Sequence, residues 1–272
     1  DEDAAEPQSE SVYVPSAPDN AAPVLSAPDK AATLTINNDT DYDVDVAACL
    51  ASDTHILAEG DGPQVLVFHT HASESYTPDA AFPYTPTETE RTTDTRYNVV
   101  RVGDELCTVL EKRGIETLHI RSLFDTPTYA GSYDRSLAAV EQALEENPSV
   151  KVVIDLHRDS ILTDEGEAYK TSCTVDGAET AQLMFVVGTD AGGLYHPDWR
   201  DNLNFVSTLQ YALNRAYPSL MRPVNLRTQR FDQHASPGSL LVEVGSSGNT
   251  LPEALSAVRL FADVLADEMT GA

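Results

Sequence analysis

Cysteine, basic residues and long apolar runs are all scarce in this chain, and each scarcity closes off a class of protein. The three cysteines, Cys49, Cys107 and Cys173, are too few and too scattered for a disulfide framework, and they form no C-x-x-C metal pair. Lysine and arginine total 17 against 44 aspartates and glutamates, a formal charge of −27. So acidic a surface repels phosphate backbones and anionic headgroups, which argues against nucleic acid or a charged lipid surface as partner. No run approaches the ~20 consecutive apolar residues of a membrane span. Because the chain opens at Asp1 without a methionine, it is expected to be a processed or excised product, with any signal or membrane anchor upstream. There is no G-x-S-x-G elbow for a nucleophilic serine. The turn Gly245-Ser246-Ser247-Gly248 lacks the lysine and the length of a phosphate loop.

What is present is a set of well-separated apolar segments. Residues 1–32 are rich in Ala, Pro, Ser, Asp and Glu and almost devoid of large apolar side chains, so they are expected to form a disordered linker or stalk. Residues 33–272 are expected to form one domain, with no internal repeat and no second apolar cluster. Strand candidates are Leu34–Ile36, Val65–Phe68, Ile115–Ile120, Val150–Leu156, Leu183–Val187 and Leu240–Val244. Between them lie helical stretches. A short one covers Val44–Leu50, and a second carries the stripe Val99, Val102, Leu106, Val109 and Leu110, closed by Gly114. A third carries Tyr133, Leu137, Val140 and Leu144 and stops before Pro148, and a fourth runs from Trp199 to Tyr217. The last opens on the capping box Thr250-Leu251-Pro252-Glu253. Strands alternating with helices at this spacing predict an α/β fold, a central parallel or mixed sheet flanked by helices. Thr77–Thr93, a polar stretch with Pro78, Pro83 and Pro86, is long enough to be a rim or lid.

Three of the apolar strands end in, or carry, groups able to act on a metal. Val65–Phe68 breaks into His69-Thr70-His71-Ala72-Ser73-Glu74, in which His71 and Glu74 are spaced H-x-x-E. Val150–Leu156 ends in His157-Arg158-Asp159, and Glu243 stands between Val242 and Val244. Ligands bind outside the carboxyl ends of such strands. A catalytic zinc takes three protein ligands of His and carboxylate type plus a water. His71, Glu74 and His157 supply that set and leave Glu243 as the general base, since an unpaired carboxylate within a core strand is costly unless it is used. His69 is an alternative ligand, but alternation along its strand favours an inward-packed role. His55, His119 and His196 are expected to be surface or core residues, and His234 a wall of the cleft.

Four stretches resemble the stage II sporulation protein P family: 65–76, 93–106, 153–159, and 236–245 together with Asn249-Thr250. They occur in the family's order, and the resemblance as a whole runs from about Leu34 to Leu265. The resemblance implies a fold of the zinc amidase or carboxypeptidase kind and a zinc-dependent N-acetylmuramoyl-L-alanine amidase that can also cut peptide cross-links. It implies action on septal peptidoglycan during engulfment in endospore formation, anchoring through the N-terminus, and stage II sporulation proteins D and M as partners. It carries the two zinc histidines onto His71 and His157 and the catalytic glutamate onto Glu243. For the carboxylate ligand it leaves two positions: Glu74, by the H-x-x-E of zinc carboxypeptidases, and Asp94, just before the first long helix, as in the broader zinc amidases. Glu74 is favoured. Asp232-Gln233-His234 departs from the family's Asn-Gln-type stretch. Arg158 is expected to hold a substrate carboxylate through its planar fork. The competing readings are a zinc carboxypeptidase on wall peptides and a non-catalytic peptidoglycan-binding module.

Overall fold

The computed structural model describes residues 27–87 and 90–272. Most of the expected linker, residues 1–26, lies outside them. In chain order the elements are α1 (Ala27–Ala31), β1 (Ile36–Asn38), α2 (Val46–Ala51), β2 (Val65–Phe68), α3 (Val99–Lys112) and β3 (Thr117–His119). There follow α4 (Ser132–Glu146), β4 (Val152–Asp159), β5 (Ser172–Val175), β6 (Ala178–Ala181), β7 (Leu183–Gly188) and α5 (Trp199–Ala216). The chain closes with β8 (Val224–Arg227), a 3-10 turn at Gln233–Ala235, β9 (Ser239–Ser246) and α6 (Leu251–Thr270).

Seven strands form one mixed sheet in the order β1-β8-β7-β9-β4-β2-β3. Every neighbouring pair is parallel except β7 with β9. The carboxyl ends of β2, β4 and β9 therefore share one edge of the sheet with the amino ends of β7, β8 and β1. Strand alternation sorts the side chains. Val65, Val67, Ile154, Leu156, Val242 and Val244 enter the main core with the apolar stripes of α3, α5 and α6. Leu66, Phe68 and Val153 point the other way, onto Val140 and Ala143 of α4. Each such aliphatic or aromatic side chain contributes about 1.5–3 kcal/mol by leaving water. By the same alternation Asp155 and His157 share the α4 side with Val153. Glu243 lies on that side too, because it is in register with His157.

The ends of the long helices are chemically specified. Asn98 caps α3 by accepting from the Val100 N–H at 3.0 Å, and Gly114 follows the helix at φ +84°. Thr250 and Glu253 form the reciprocal capping box of α6, with Pro252 in its first turn.

Three local features differ from expectation. β1 begins at Ile36 rather than Leu34, because Leu34 is drawn instead into a small cluster with Leu50 and Tyr211. Ala31 of α1 packs on that same cluster, so helical structure extends into the range read as linker. The hairpin β5–β6 and strand β8 add strands that the apolar runs did not reveal. They are half-polar, and the hairpin turns at Asp176-Gly177, both with positive φ (51° and 82°).

Candidate metal centre at the strand ends

Past Phe68 the chain leaves β2 in a tight turn closed by the Glu74 N–H donating to the His71 carbonyl at 3.0 Å. That one bond brings the two ends of the H-x-x-E spacing onto the same point. His71 Nδ1 lies 3.6 Å from Glu74 Oε1, and His157 Nδ1 lies 3.3 Å from Glu74 Oε2. All three residues are buried, and one ligand atom from each lies within 4.8 Å of the others. A four-coordinate zinc with bonds of about 2.0–2.2 Å separates its ligand atoms by roughly 3.3–3.6 Å. The donor set, two imidazoles and a carboxylate gathered on one point, fits the ion. The other ring nitrogen of His71, Nε2, is buried without a hydrogen-bond partner, so it too is available to a ligand.

The charges around this cluster are tightly balanced. Burial alone would push the Glu74 carboxyl up, but His157, His71 and Arg158 outweigh it and hold the group well below the usual carboxylate range. Burial likewise opposes charge on His157, yet Asp155 and Glu74 raise it well above an ordinary imidazole. Asp155 Oδ1 lies 2.8 Å from His157 Nε2, an ion-pair contact rather than an aligned hydrogen bond. Asp155 is itself fixed by the Thr70 N–H at 2.9 Å and the Thr70 hydroxyl at 2.8 Å. With its Nε2 turned to Asp155, His157 presents Nδ1 to the centre, the usual way an outer carboxylate orients a metal-binding histidine.

Glu243 is placed beside this group by the β4–β9 register, which sets it opposite His157. It is only partly exposed, and its Oε2 is buried with no hydrogen-bond partner. Burial, opposed by His157 and reinforced by Glu74 and Asp159, pushes its carboxyl up to about 8. A carboxylate with that affinity for a proton, next to a metal-ligand cluster, suits a general base.

Other residues singled out in the sequence take different places. Asp94 is drawn down to about 2 by hydrogen bonds from Arg96, whose guanidinium it holds at 2.6–3.2 Å. It is not part of the His71–Glu74–His157 group. His69 turns into the protein: Nδ1 contacts the Leu156 carbonyl and Nε2 meets His119 Nε2, each at 2.8 Å. His119 thus has a partner that spacing did not suggest, and its Nδ1 lies 3.1 Å from Asp104. His234 faces His196, ring centroids 6.3 Å apart, rather than the metal ligands.

Arg158 is held by backbone carbonyls. It is buried, its Nε donates to the Ser75 carbonyl and its guanidinium also to the Glu90 carbonyl, both at 2.9 Å. Through these bonds it ties β4 to the rim loop, at a point where the β4–β9 register shifts between His157 and Asp159. The arginine beside the cluster is Arg91. It donates to Asp125 at 2.9 Å, to the Ser73 hydroxyl at 3.0 Å and to Glu74 Oε1 at 3.3 Å.

Aromatic residues complete the surroundings. Tyr129 stacks on His71 with centroids 4.4 Å apart and also lies under the Arg91 guanidinium at 5.2 Å. Tyr133, read from the sequence only as part of a helical stripe, meets the His71 ring edge-on at 5.4 Å. Phe231 contacts Tyr133 in turn at 5.9 Å. Arg91, Asp125 and Tyr129 come from irregular segments, and no periodicity pointed to them.

The profile of the stage II sporulation protein P family matches residues 6–266. Stage II sporulation protein P of Bacillus subtilis (strain 168) is 30% identical over 219 residues, covering 76% of this chain and 51% of that protein. The chain thus spans about half the length of that curated relative. Among solved structures, the apo form of the N-acetylmuramyl-L-alanine amidase Ami1 from Mycobacterium abscessus aligns with a TM-score of 0.43 at 12% identity, over 75% of this chain and 96% of that one. The catalytic domain of CwlV, an N-acetylmuramoyl-L-alanine amidase from Bacillus (Paenibacillus) polymyxa, aligns with a TM-score of 0.43 at 12% identity, over 76% and 97%.

Proposed function

The chain belongs to the stage II sporulation protein P family, and on that premise we propose that it is a zinc-dependent peptidoglycan hydrolase, an N-acetylmuramoyl-L-alanine amidase acting during sporulation. The observation that carries the reading is the convergence of His71, Glu74 and His157 beside an unpartnered carboxylate oxygen of Glu243. His71, Glu74 and His157 would hold the zinc. Bound there, zinc would polarise the amide carbonyl between the lactyl group and L-Ala and make a water acidic enough to attack.

The chain's own groups do the rest. Glu243 accepts the proton of the attacking water and returns it to the nitrogen of the departing stem peptide. Asp155 keeps His157 in the orientation that presents Nδ1. Asp125, buried and bonded to Ser73 and Arg91, holds the turn that carries Glu74. Arg91 and Tyr129 line the approach, where a guanidinium suits the carboxylates of a stem peptide.

The wider assignments follow the family. They comprise an N-terminal linker ahead of a catalytic domain covering 33–272, an upstream anchor, action at the engulfing septum, cleavage of cross-links as a second activity, and stage II sporulation proteins D and M as partners. Among the described residues no helix is long and apolar enough to cross a membrane. Digestion of purified sacculi by the zinc-loaded protein, with products identified by mass, tests the reading. Free stem peptides with new L-Ala amino termini are expected. Release of terminal residues alone would mean a carboxypeptidase, and no products together with no bound zinc would mean a binding module.

A further inference from the structure

The cleft contains a hydroxyl that the mechanism above leaves unused. Tyr133 stands in the first turn of α4, and its ring is held between His71 at 5.4 Å and Phe231 at 5.9 Å. Three tyrosine hydroxyls elsewhere in the protein find partners. That of Tyr76 donates to the Val244 carbonyl at 3.1 Å, that of Tyr84 to Ser75 at 2.8 Å and that of Tyr42 to Asp190 at 2.7 Å. The Tyr133 hydroxyl makes no hydrogen bond to any described residue, although the ring is mostly buried and fixed on two sides. A hydroxyl donor left unspent on a ring packed against a candidate metal ligand is placed to meet a group that enters the cleft.

What that ligand atom must be follows from the phenol's chemistry. A phenol with the ordinary pKa of about 10 keeps its proton at neutral pH. It is therefore a donor and not a base, and the group it serves must be an acceptor that enters with the substrate. Among the groups of a scissile amide, the carbonyl oxygen is the one that gains negative charge during reaction. A donor already fixed where that charge develops acts without reorganisation, in surroundings where hydrogen bonds are strong.

We propose that the Tyr133 hydroxyl donates a hydrogen bond to the carbonyl oxygen of the scissile amide as the carbon becomes tetrahedral. This rests on the amidase reading. Water oxygen bonds to the carbonyl carbon, the C=O π pair moves onto the oxygen facing Tyr133, and the water proton passes to Glu243. When the pair returns, the C–N bond breaks and the nitrogen leaves with the proton from Glu243. Tyr133 keeps its own proton throughout, so its contribution is largest at the tetrahedral stage.

The test compares Tyr133→Phe with the wild-type protein, both zinc-loaded, on a defined muramyl peptide. Loss of one such donor is expected to lower kcat by about 100-fold, with KM within about twofold. Zinc stoichiometry and Tm should be unchanged, because phenylalanine fills the same space between His71 and Phe231. A phosphinate analogue of the tetrahedral species should lose affinity by a similar factor. Unchanged kcat with active wild type would overturn the role of Tyr133 and leave the amidase reading standing. A loss confined to KM, or accompanied by loss of zinc, would overturn it equally. Wild-type protein that releases no stem peptide at all would remove the amidase reading, and the role with it.

Discussion

His157 on β4 and Glu243 on β9 occupy opposed positions in a parallel pair, so an imidazole and a carboxylate leave the sheet on the same face, side by side. One belongs to the ligand cluster, and the other keeps a buried oxygen without a partner. The register of two apolar strands thereby sets the distance between a candidate metal and a candidate base.

Replacing that base separates the two roles. Glu243→Gln keeps the shape and removes the proton acceptor. Hydrolysis of a muramyl peptide is expected to fall by about 100-fold or more, while zinc content stays at the wild-type level. Retained activity with zinc bound would show that another group moves the proton.

Asp155 would act on a bound metal only through His157. Asp155→Asn leaves a side chain that still accepts from Thr70 but no longer draws His157 by charge. Zinc affinity, measured by competition with a chromogenic chelator, is expected to drop by about 10–100-fold.

A small residue makes room for the paired rings of His69 and His119. A Cβ on Gly103 of α3 would lie 2.7 Å from the Nε2 atoms of both His69 and His119. Alanine ordinarily stabilises a helix over glycine by about 0.5–1 kcal/mol. Here the clash, with rings that are hydrogen-bonded to each other and walled in, is expected to win. Gly103→Ala should destabilise the fold by about 1–3 kcal/mol in a denaturant titration. A gain in stability would mean that the rings shift freely.

His69 also gives stability a pH dependence of definite sign. Burial, reinforced by His119, lowers its pKa to about 3. Between that value and the ordinary 6.5, the unfolded chain binds a proton that the native protein does not. This residue's contribution is therefore full above about pH 6.5 and is lost as pH falls. Acidification from pH 6.5 to 4 should cost on the order of 3 kcal/mol from this group alone. Urea titrations of wild type and His69→Asn, repeated across that range, should show a shallower slope for the variant.

Much of this architecture is legible in the residues because burial leaves a strong imprint. β2, β4, β7 and β9 are near-continuous apolar runs, and His157 and Glu243 stand out as polar groups interrupting or ending them. The H-x-x-E spacing also survives translation into space, since one backbone bond closes it. The backbone carbonyls that engage Arg158 belong to the turn after β2 and to the rim loop, whose course no periodicity marks. The Asp176-Gly177 turn carried a readable hairpin signal. Arg91, Asp125 and Tyr129 reach the site from loops whose course depends on tertiary contacts, and Tyr133 is indistinguishable from a core residue by periodicity.

Zinc binding itself should release protons. His157 is held protonated between Asp155 and Glu74 in the metal-free protein, and a ligating nitrogen must give that proton up. Calorimetric titrations in two buffers of different ionisation enthalpy should report net proton release near neutral pH, with apparent affinity rising as pH rises. Buffer-independent heats would contradict the protonated state of His157.

The central claim is that His71, Glu74 and His157 together hold the ion. Crystals grown with zinc, measured on both sides of the zinc absorption edge, test it most directly. An anomalous peak about 2.0–2.2 Å from the three side chains is predicted. A peak at Asp94, or none at the cluster, would contradict the account.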